Sequence, residues 1–470
     1  MRRQNMSNST AEMIGLEGFS TGFTGIGGRL KSRISDFRVE EMSTSLALNN
    51  KGRFTLARIT LTNWETNRFI NKLAKILHIP RKRIFFAGTK DKRAITKQIF
   101  VIDAPAHKVS QVELKDVEIE VLGRTNHKIG FGNHKGNRFT IIVRGCAHPD
   151  GSPMQPEEAK QQVTSIRDEL AKKLGENTFA NWIGPQRFGS GRPVTAEVGR
   201  HVISGNWKDA VMTYLAMEGE NESEEAAAIR KKIRENGISE ELVEEIPQWM
   251  GFERGIIQHL LSKPDDYLGA FKTLPNNLQL MTVHALQSVV FNKSLHSRID
   301  SGIALSTPVP GDLVAHVQQG GQMDAKEFFR VEERTLPRIS RNCQMKRLCV
   351  TGPLPGTEIK TSFGESGEIE SNVIKQMELD DVSWAVEDIP RLTTKGTRRP
   401  LVAEFDEFSF ESVTIASQES LGETWINGPK EGDRWHPDGA CIKFRFTLGS
   451  GTYATTLLRE FMQSPINHMG

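Results

Sequence analysis

The sequence predicts a chain that mixes α and β structure across two or three domains, and three observations predict it. Strand-type alternation of apolar and polar residues recurs near both ends, over residues 54–61, 139–143 and 442–448. One-sided helical stripes stand between such segments, as where Phe69, Ile70, Leu73, Ile76 and Leu77 fall on a single face. The third is length: 470 residues allow each domain its own core. Hydrophobic content of 37% and charged content of 25% fit a soluble globular protein. No internal repeat is visible, which argues against solenoids and propellers.

Taken in order, residues 1–20 read as a tail, polar at its start and without the apolar stretch of a signal peptide. The glycine-rich run 22–31 invites a nucleotide-loop reading but fails both registers. Gly28 stands where a phosphate loop needs lysine, and Leu30 where a Rossmann loop needs its third glycine. Residues 35–41 and 54–61 alternate as strands. Thr66 or Asn67 is placed to cap the helix that follows, Pro80 to end it, and its stripe reads as core. Strands follow over 84–87, 95–102, 117–121 and 139–143, with a basic stretch, 127–138, before the last. His127 and His134 lie there without a carboxylate or cysteine at ligand spacing, so no metal site is expected. A charged helix is expected over 156–173, and Glu-, Ala- and Lys-rich exposed helices over 217–246, whose acidity would repel RNA. Residues 390–400 form a basic, proline-bounded junction, and 442–448 alternate cleanly before a glycine turn and a helix starting near Thr452.

Whole-chain charge is nearly balanced, with 61 Lys and Arg against 58 Asp and Glu, so it announces no polyanionic partner. Local charge does: residues 81–97 hold seven cations and one acid, which predicts a basic face on a near-neutral body. The four cysteines form no Cys-x-x-Cys pair, which argues against structural zinc and a disulfide framework. No apolar run approaches the roughly 18 residues of a membrane span, and a cytoplasmic location is expected.

The lone acid of the basic stretch is Asp91, among Arg83, Lys90, Lys92, Arg93 and Lys97. Gly88 breaks the pattern between two strands, which places Asp91 in a tight loop at the mouth of a sheet. Neighbouring cations favour its ionised form, suited to act as nucleophile or base beside a polyanion. A basic surface turn with one compensating acid is the alternative.

Ala87-Gly88-Thr89-Lys90-Asp91-Lys92-Arg93-Ala94-Ile95-Thr96-Lys97-Gln98 resembles the active-site motif of the TruD family of tRNA pseudouridine synthases. Asp36-Phe37-Arg38-Val39-Glu40-Glu41 is similar to the family's Asp-Phe-x-Val-x-Glu, and Gly136-Asn137-Arg138-Phe139 to its Gly-Asn-x-Phe. The segment 181–189 resembles Asn-Tyr-Phe-Gly-x-Gln-Arg-Phe-Gly, with Trp182 and Ile183 replacing the usual tyrosine and phenylalanine. Near the end, Ala454-Thr455 followed by Arg459-Glu460 is similar to the family's closing helix.

The resemblance implies an α+β catalytic domain with a mixed, mainly antiparallel sheet, built from residues 1–178 and 403–470. It implies an inserted α/β domain over 179–402, with RNA in the cleft between. It assigns Asp91 as catalyst with Lys31 as its partner. Phe139 is implied to stack on the target uracil and Asn137 to hydrogen-bond beside the aspartate. Phe37, Lys90 and Arg187 are the other implied substrate contacts, Arg187 through phosphate; Phe188 reads as packing. The implied reaction isomerises a uridine of tRNA, at position 13, with no metal, nucleotide or other cofactor and no membrane. A non-catalytic RNA-binding module is the rival. Asp91 discriminates, because a pure binder has no use for an acid beside phosphates.

Overall fold

The computed structural model describes residues 10–43, 46–189, 192–219, 222–318 and 321–469. Its first eight strands are β1 (Gly27–Arg29), β2 (Phe37–Ser43), β3 (Phe54–Thr62), β4 (Ile84–Phe86), β5 (Ile95–Ile102), β6 (Val117–Thr125), β7 (His134–Cys146) and β8 (Thr178–Ala180). Four more follow, β9 (Leu313–His316), β10 (Phe329–Arg330), β11 (Leu348–Leu354) and β12 (Thr397–Pro400). The last are β13 (Val402–Val413) and β14 (Cys441–Gly449).

One ten-stranded sheet runs β6-β3-β5-β2-β7-β14-β13-β8, with β1 on β7 and β4 on β5. Every pairing in it is antiparallel except β2 with β5. This is the mixed, mainly antiparallel sheet expected, and both ends of the chain build it. Alternation explains its centre: Phe444, Phe446 and Leu448 of β14 point into the core while Arg445 is exposed. The Pro156–Leu174 helix covers β8, β13 and β14 with Val163, Ile166 and Leu170. A second, antiparallel sheet, β10-β9-β11-β12, lies wholly within residues 313–400, and the long Asn276–Asp300 helix packs on β11.

The expected tail is corrected in part. Residues 1–9 lie outside the described residues, but 10–20 pack on the body, because Ile14 and Leu16 are buried and Asn292 donates to the Ile14 carbonyl at 2.9 Å. Ser20 donates to buried Glu460 through its backbone N–H at 2.9 Å and its hydroxyl at 3.0 Å. The helix after the third strand spans Thr66–Ile76, but Glu65 caps it, accepting from the N–H groups of Asn67 and Arg68 at 2.9 and 2.7 Å. A longer side chain reaches both donors, which leaves the Thr66 hydroxyl for another partner. Ile76 is exposed at the helix end while Phe69, Ile70 and Leu73 are fully buried. The glycine run is packing rather than a ligand loop: a Cβ on Gly28 would stand 2.6 Å from Val143 Cγ1, and Gly28 takes φ +90°.

Candidate active site

Asp91 lies in the loop between β4 and β5, and three contacts fix that loop from different elements. Gly132 N–H donates to the Ala87 carbonyl at 2.7 Å, Lys90 N–H to the Thr66 hydroxyl at 3.1 Å, and Asn63 N–H to the Ala94 carbonyl at 3.0 Å. The hydroxyl freed by the Glu65 cap is therefore what holds the residue before Asp91.

The Asp91 side chain is 34% exposed, and Lys31 Nζ stands 3.7 Å from its Oδ1 with only 7% of the lysine side chain exposed. That separation suits an ion pair and is too long for a hydrogen bond, so the carboxylate oxygens stay open to a reacting group. Lys31 follows β1 with φ +53°, a left-handed conformation uncommon for a lysine. Its ammonium lies 4.7 Å from the centroid of the Phe37 ring. Phe37 is placed by the start of β2, where Arg144 grips buried Asp36 with two contacts of 2.6 and 2.7 Å.

Phe139 lies beyond Phe37, edge-on to it at 6.4 Å and stacked on Phe446 at 5.4 Å. It is 7% exposed, so most of its ring already has protein partners. Asn137, two residues earlier on β7, has a buried Oδ1 with no hydrogen-bond partner among the described residues. An unpaired buried acceptor is costly, and this oxygen lacks the partner that most buried acceptors have. Gly136 is required beside it, because a Cβ there would stand 2.0 Å from the Leu448 carbonyl oxygen.

Lys90 turns inward. Its ammonium is 2.8 Å from Glu41 Oε2, with the two side chains 6% and 1% exposed, and the Ser43 hydroxyl donates to Glu41 Oε1 at 2.8 Å. Glu41 is opposite Asn137 across β2 and β7. His134, read in sequence as part of a basic loop, is half-buried here. Burial and then the Lys90 charge hold its imidazole below the ordinary range, Glu41 opposing. The sequence did not single out Glu41 as a site residue, and it weighed His134 for a site only as a metal ligand; for Glu41 the final glutamate of the Asp-Phe-x-Val-x-Glu segment was the available signal.

Arg187 sits apart, in the Pro185–Arg187 turn, with a buried Nε that has no partner among the described residues. Its charge reaches His284, held below the ordinary imidazole range by burial and then by Arg187, and Arg399. Burial pushes Arg399 down to about 10, with Tyr453 opposing and Arg187 reinforcing. Arg399 donates to Asn181 Oδ1 at 2.5 Å and to the Gly451 carbonyl at 3.0 Å, on the turn that leaves β14. Since Gly449 pairs with Gly136, that turn is next to the Asn137 segment. Phe188 is fully buried, as its packing role requires. Trp182 is buried too, its indole N–H donating to Glu460 at 3.0 Å. Among the described residues no group of three or more His, Cys, Asp or Glu could hold a metal ion, and no helix is long and apolar enough to cross a membrane.

The fold has a solved counterpart. A crystal structure of a TruD protein from Methanosarcina mazei superimposes with a TM-score of 0.77 at 33% identity, over 97% of this chain and 98% of that one. Fold and sequence likeness thus define an isomerase of the pseudouridine synthase class. The family model for tRNA pseudouridine synthase D (TruD) matches residues 13–461, and the chain belongs to that family. A relative from Methanosarcina acetivorans that carries the name tRNA pseudouridine synthase D is 37% identical over 453 residues, 96% of each chain. One from Halobacterium salinarum with the same name is 33% identical over 468 residues, 96% of this chain and 97% of that one.

Proposed function

We propose that this chain isomerises a uridine of tRNA, at position 13, to pseudouridine, with Asp91 as the catalytic residue. The pairing of a part-exposed carboxylate with a buried lysine at 3.7 Å carries the reading. Lys31 supplies the opposite charge from beneath without occupying the side of Asp91 that faces solvent. The reaction breaks the N1–C1′ bond, turns the uracil and joins C5 to C1′; the proton of C5 leaves and N1 gains one. Asp91 either bonds to the sugar or base or stabilises positive charge at C1′. No oxidation state changes and no phosphate is activated, so the chemistry calls for no metal or nucleotide.

The unpaired Asn137 Oδ1 accepts a hydrogen bond from the flipped uracil, and Phe139 and Phe37 provide the aromatic wall beside it. Lys90, bound to Glu41, shapes the loop rather than gripping phosphate, while Arg187 with Arg399 receives the backbone of the same strand. Residues 179–402 act as an inserted domain between two halves of the catalytic domain, 1–178 and 403–470; the separate sheet of β9–β12 supports this division. A cytoplasmic site of action follows from the tRNA substrate. Incubating the purified protein with a tRNA transcript and mapping pseudouridine by mass spectrometry tests the reading. No product at the target uridine overturns it.

A further inference from the structure

Phe131 is 75% exposed, more than any other large hydrophobic side chain among the described residues, and it stands on the stretch before β7. Its exposure is built rather than accidental. Two residues before it, Ile129 is buried in a cluster with Phe54, Leu56 and Val101. One residue after it, Gly132 N–H is tied to the Ala87 carbonyl at 2.7 Å, where the Asp91 loop begins. Beneath it, Phe86 meets the ring edge-to-face at 5.9 Å and 71°, and Phe86 in turn leans on buried Phe100 at 6.0 Å. A backbone fixed on both sides thus holds an aromatic face toward solvent, next to the catalytic loop.

Charge around the ring selects the occupant. Lys128 and Lys135 are exposed on either side along the chain, and Lys128 is held over Phe85 and Phe54 at 4.9 and 5.6 Å. Lys92 and Arg93 are exposed on the loop that Gly132 ties down. An exposed aromatic amid cations is the surface on which an unstacked base lies while phosphates pass alongside. Flipping a uridine toward Asp91 leaves its neighbour without a stacking partner.

We infer that Phe131 is a stacking platform for a nucleotide adjoining the target uridine, so that the 127–133 segment contributes to substrate binding. The inference rests on the tRNA reading of Asp91. The test uses tRNA transcripts carrying 2-aminopurine in place of the nucleotide on one or the other side of the target. With wild-type protein, binding should change the fluorescence at one flank. Phe131→Ala should abolish that change and raise Kd by about tenfold, while leaving the salt dependence of binding unaltered because no phosphate contact is lost. Phe131→Tyr should retain the change. Because the side chain is exposed, both variants should melt with the wild type; a Phe131→Ala protein that melts well below it would make the ring structural and overturn the platform. Equal fluorescence changes in wild type and Phe131→Ala, at both flanks, would also overturn it, whatever happened to Kd. Pseudouridine formation by the wild type in the same mixtures separates the two questions: its absence sinks the reading of Asp91, whereas its presence with an indifferent Phe131→Ala sinks the platform alone.

Discussion

Lys90 Nζ lies 2.8 Å from Glu41 Oε2, both side chains are buried, and Lys90 directly precedes Asp91 in the chain. Removing one member of such a pair leaves the other charged and without a partner in the interior, which costs about 3–5 kcal/mol. Glu41→Ala should therefore lower stability by about that amount and slow catalysis by loosening the Asp91 loop. Glu41→Gln, which keeps an acceptor for Lys90, should lose less of both. Denaturant unfolding with single-turnover rates checks this, and a Glu41→Ala protein as stable as the wild type would remove the pair from the account.

Asp91→Asn should abolish pseudouridine formation while leaving tRNA affinity unchanged or slightly higher. The side chain is part-exposed beside exposed Lys92 and Arg93, so losing its charge removes no contact that a phosphate needs. Turnover by the purified variant near the wild-type rate would end the assignment of Asp91 as catalyst.

Lys31→Met keeps an apolar stem against Phe37 and removes the ammonium 3.7 Å from Asp91. It should slow the chemical step at saturating tRNA by about 10²-fold, the scale of losing one preorganised charge, with little change in Kd. Wild-type single-turnover rates would instead make Lys31 a packing residue.

The parts legible in sequence were those set by local pattern. β5 spans Ile95–Ile102 and β14 covers the alternating run ending at Leu448 because period-two burial leaves its mark on consecutive residues. The Asp91 loop was legible for the same reason, a strand, a glycine and a strand in close succession. What was hidden depends on partners distant in the chain. Glu41 and Lys90 are 49 residues apart, and nothing near either one says that a lysine in a basic run will be buried. Trp182 meets Glu460 across 278 positions, so its place in a tyrosine-type motif looked like a departure when it is a donor for a buried carboxylate. The helix cap failed on a smaller scale: Thr66 has the better capping side chain, yet its hydroxyl is used by Lys90 N–H.

His134 gives a pH signature. Burial and the Lys90 charge hold its imidazole below the ordinary range, so the native protein favours the neutral form more than the unfolded chain does. Its stabilising contribution is complete above the unfolded imidazole value, near 6.5, and is lost as pH falls through the lower native one. His134→Gln cannot take up that proton. Melting temperatures at pH 7.5 and pH 5 should fall less for the variant than for the wild type, and an equal fall would place the acid sensitivity at other groups.

Phe139 is the residue whose role the geometry sharpens most, because a ring 7% exposed and stacked on Phe446 has little free face. A base platform needs an aromatic plane but no particular edge chemistry, so Phe139→Tyr should keep much of the activity. Phe139→Leu retains apolar character, but it loses the plane as well as the contacts to Phe37 and Phe446, each worth about 0.5–1.5 kcal/mol. It should remain folded at assay temperature and turn over at least tenfold more slowly at saturating tRNA, since stacking on a base supplies about 1–3 kcal/mol. If the ring serves only the core, the order reverses. Tyrosine would then bury an unpaired hydroxyl at about 1–3 kcal/mol, while leucine would be absorbed by its neighbours. Melting temperatures and single-turnover rates of both variants decide between the roles: a stable, fully active Phe139→Leu beside a destabilised Phe139→Tyr would take Phe139 out of the uracil site and leave Asn137 as its wall on β7.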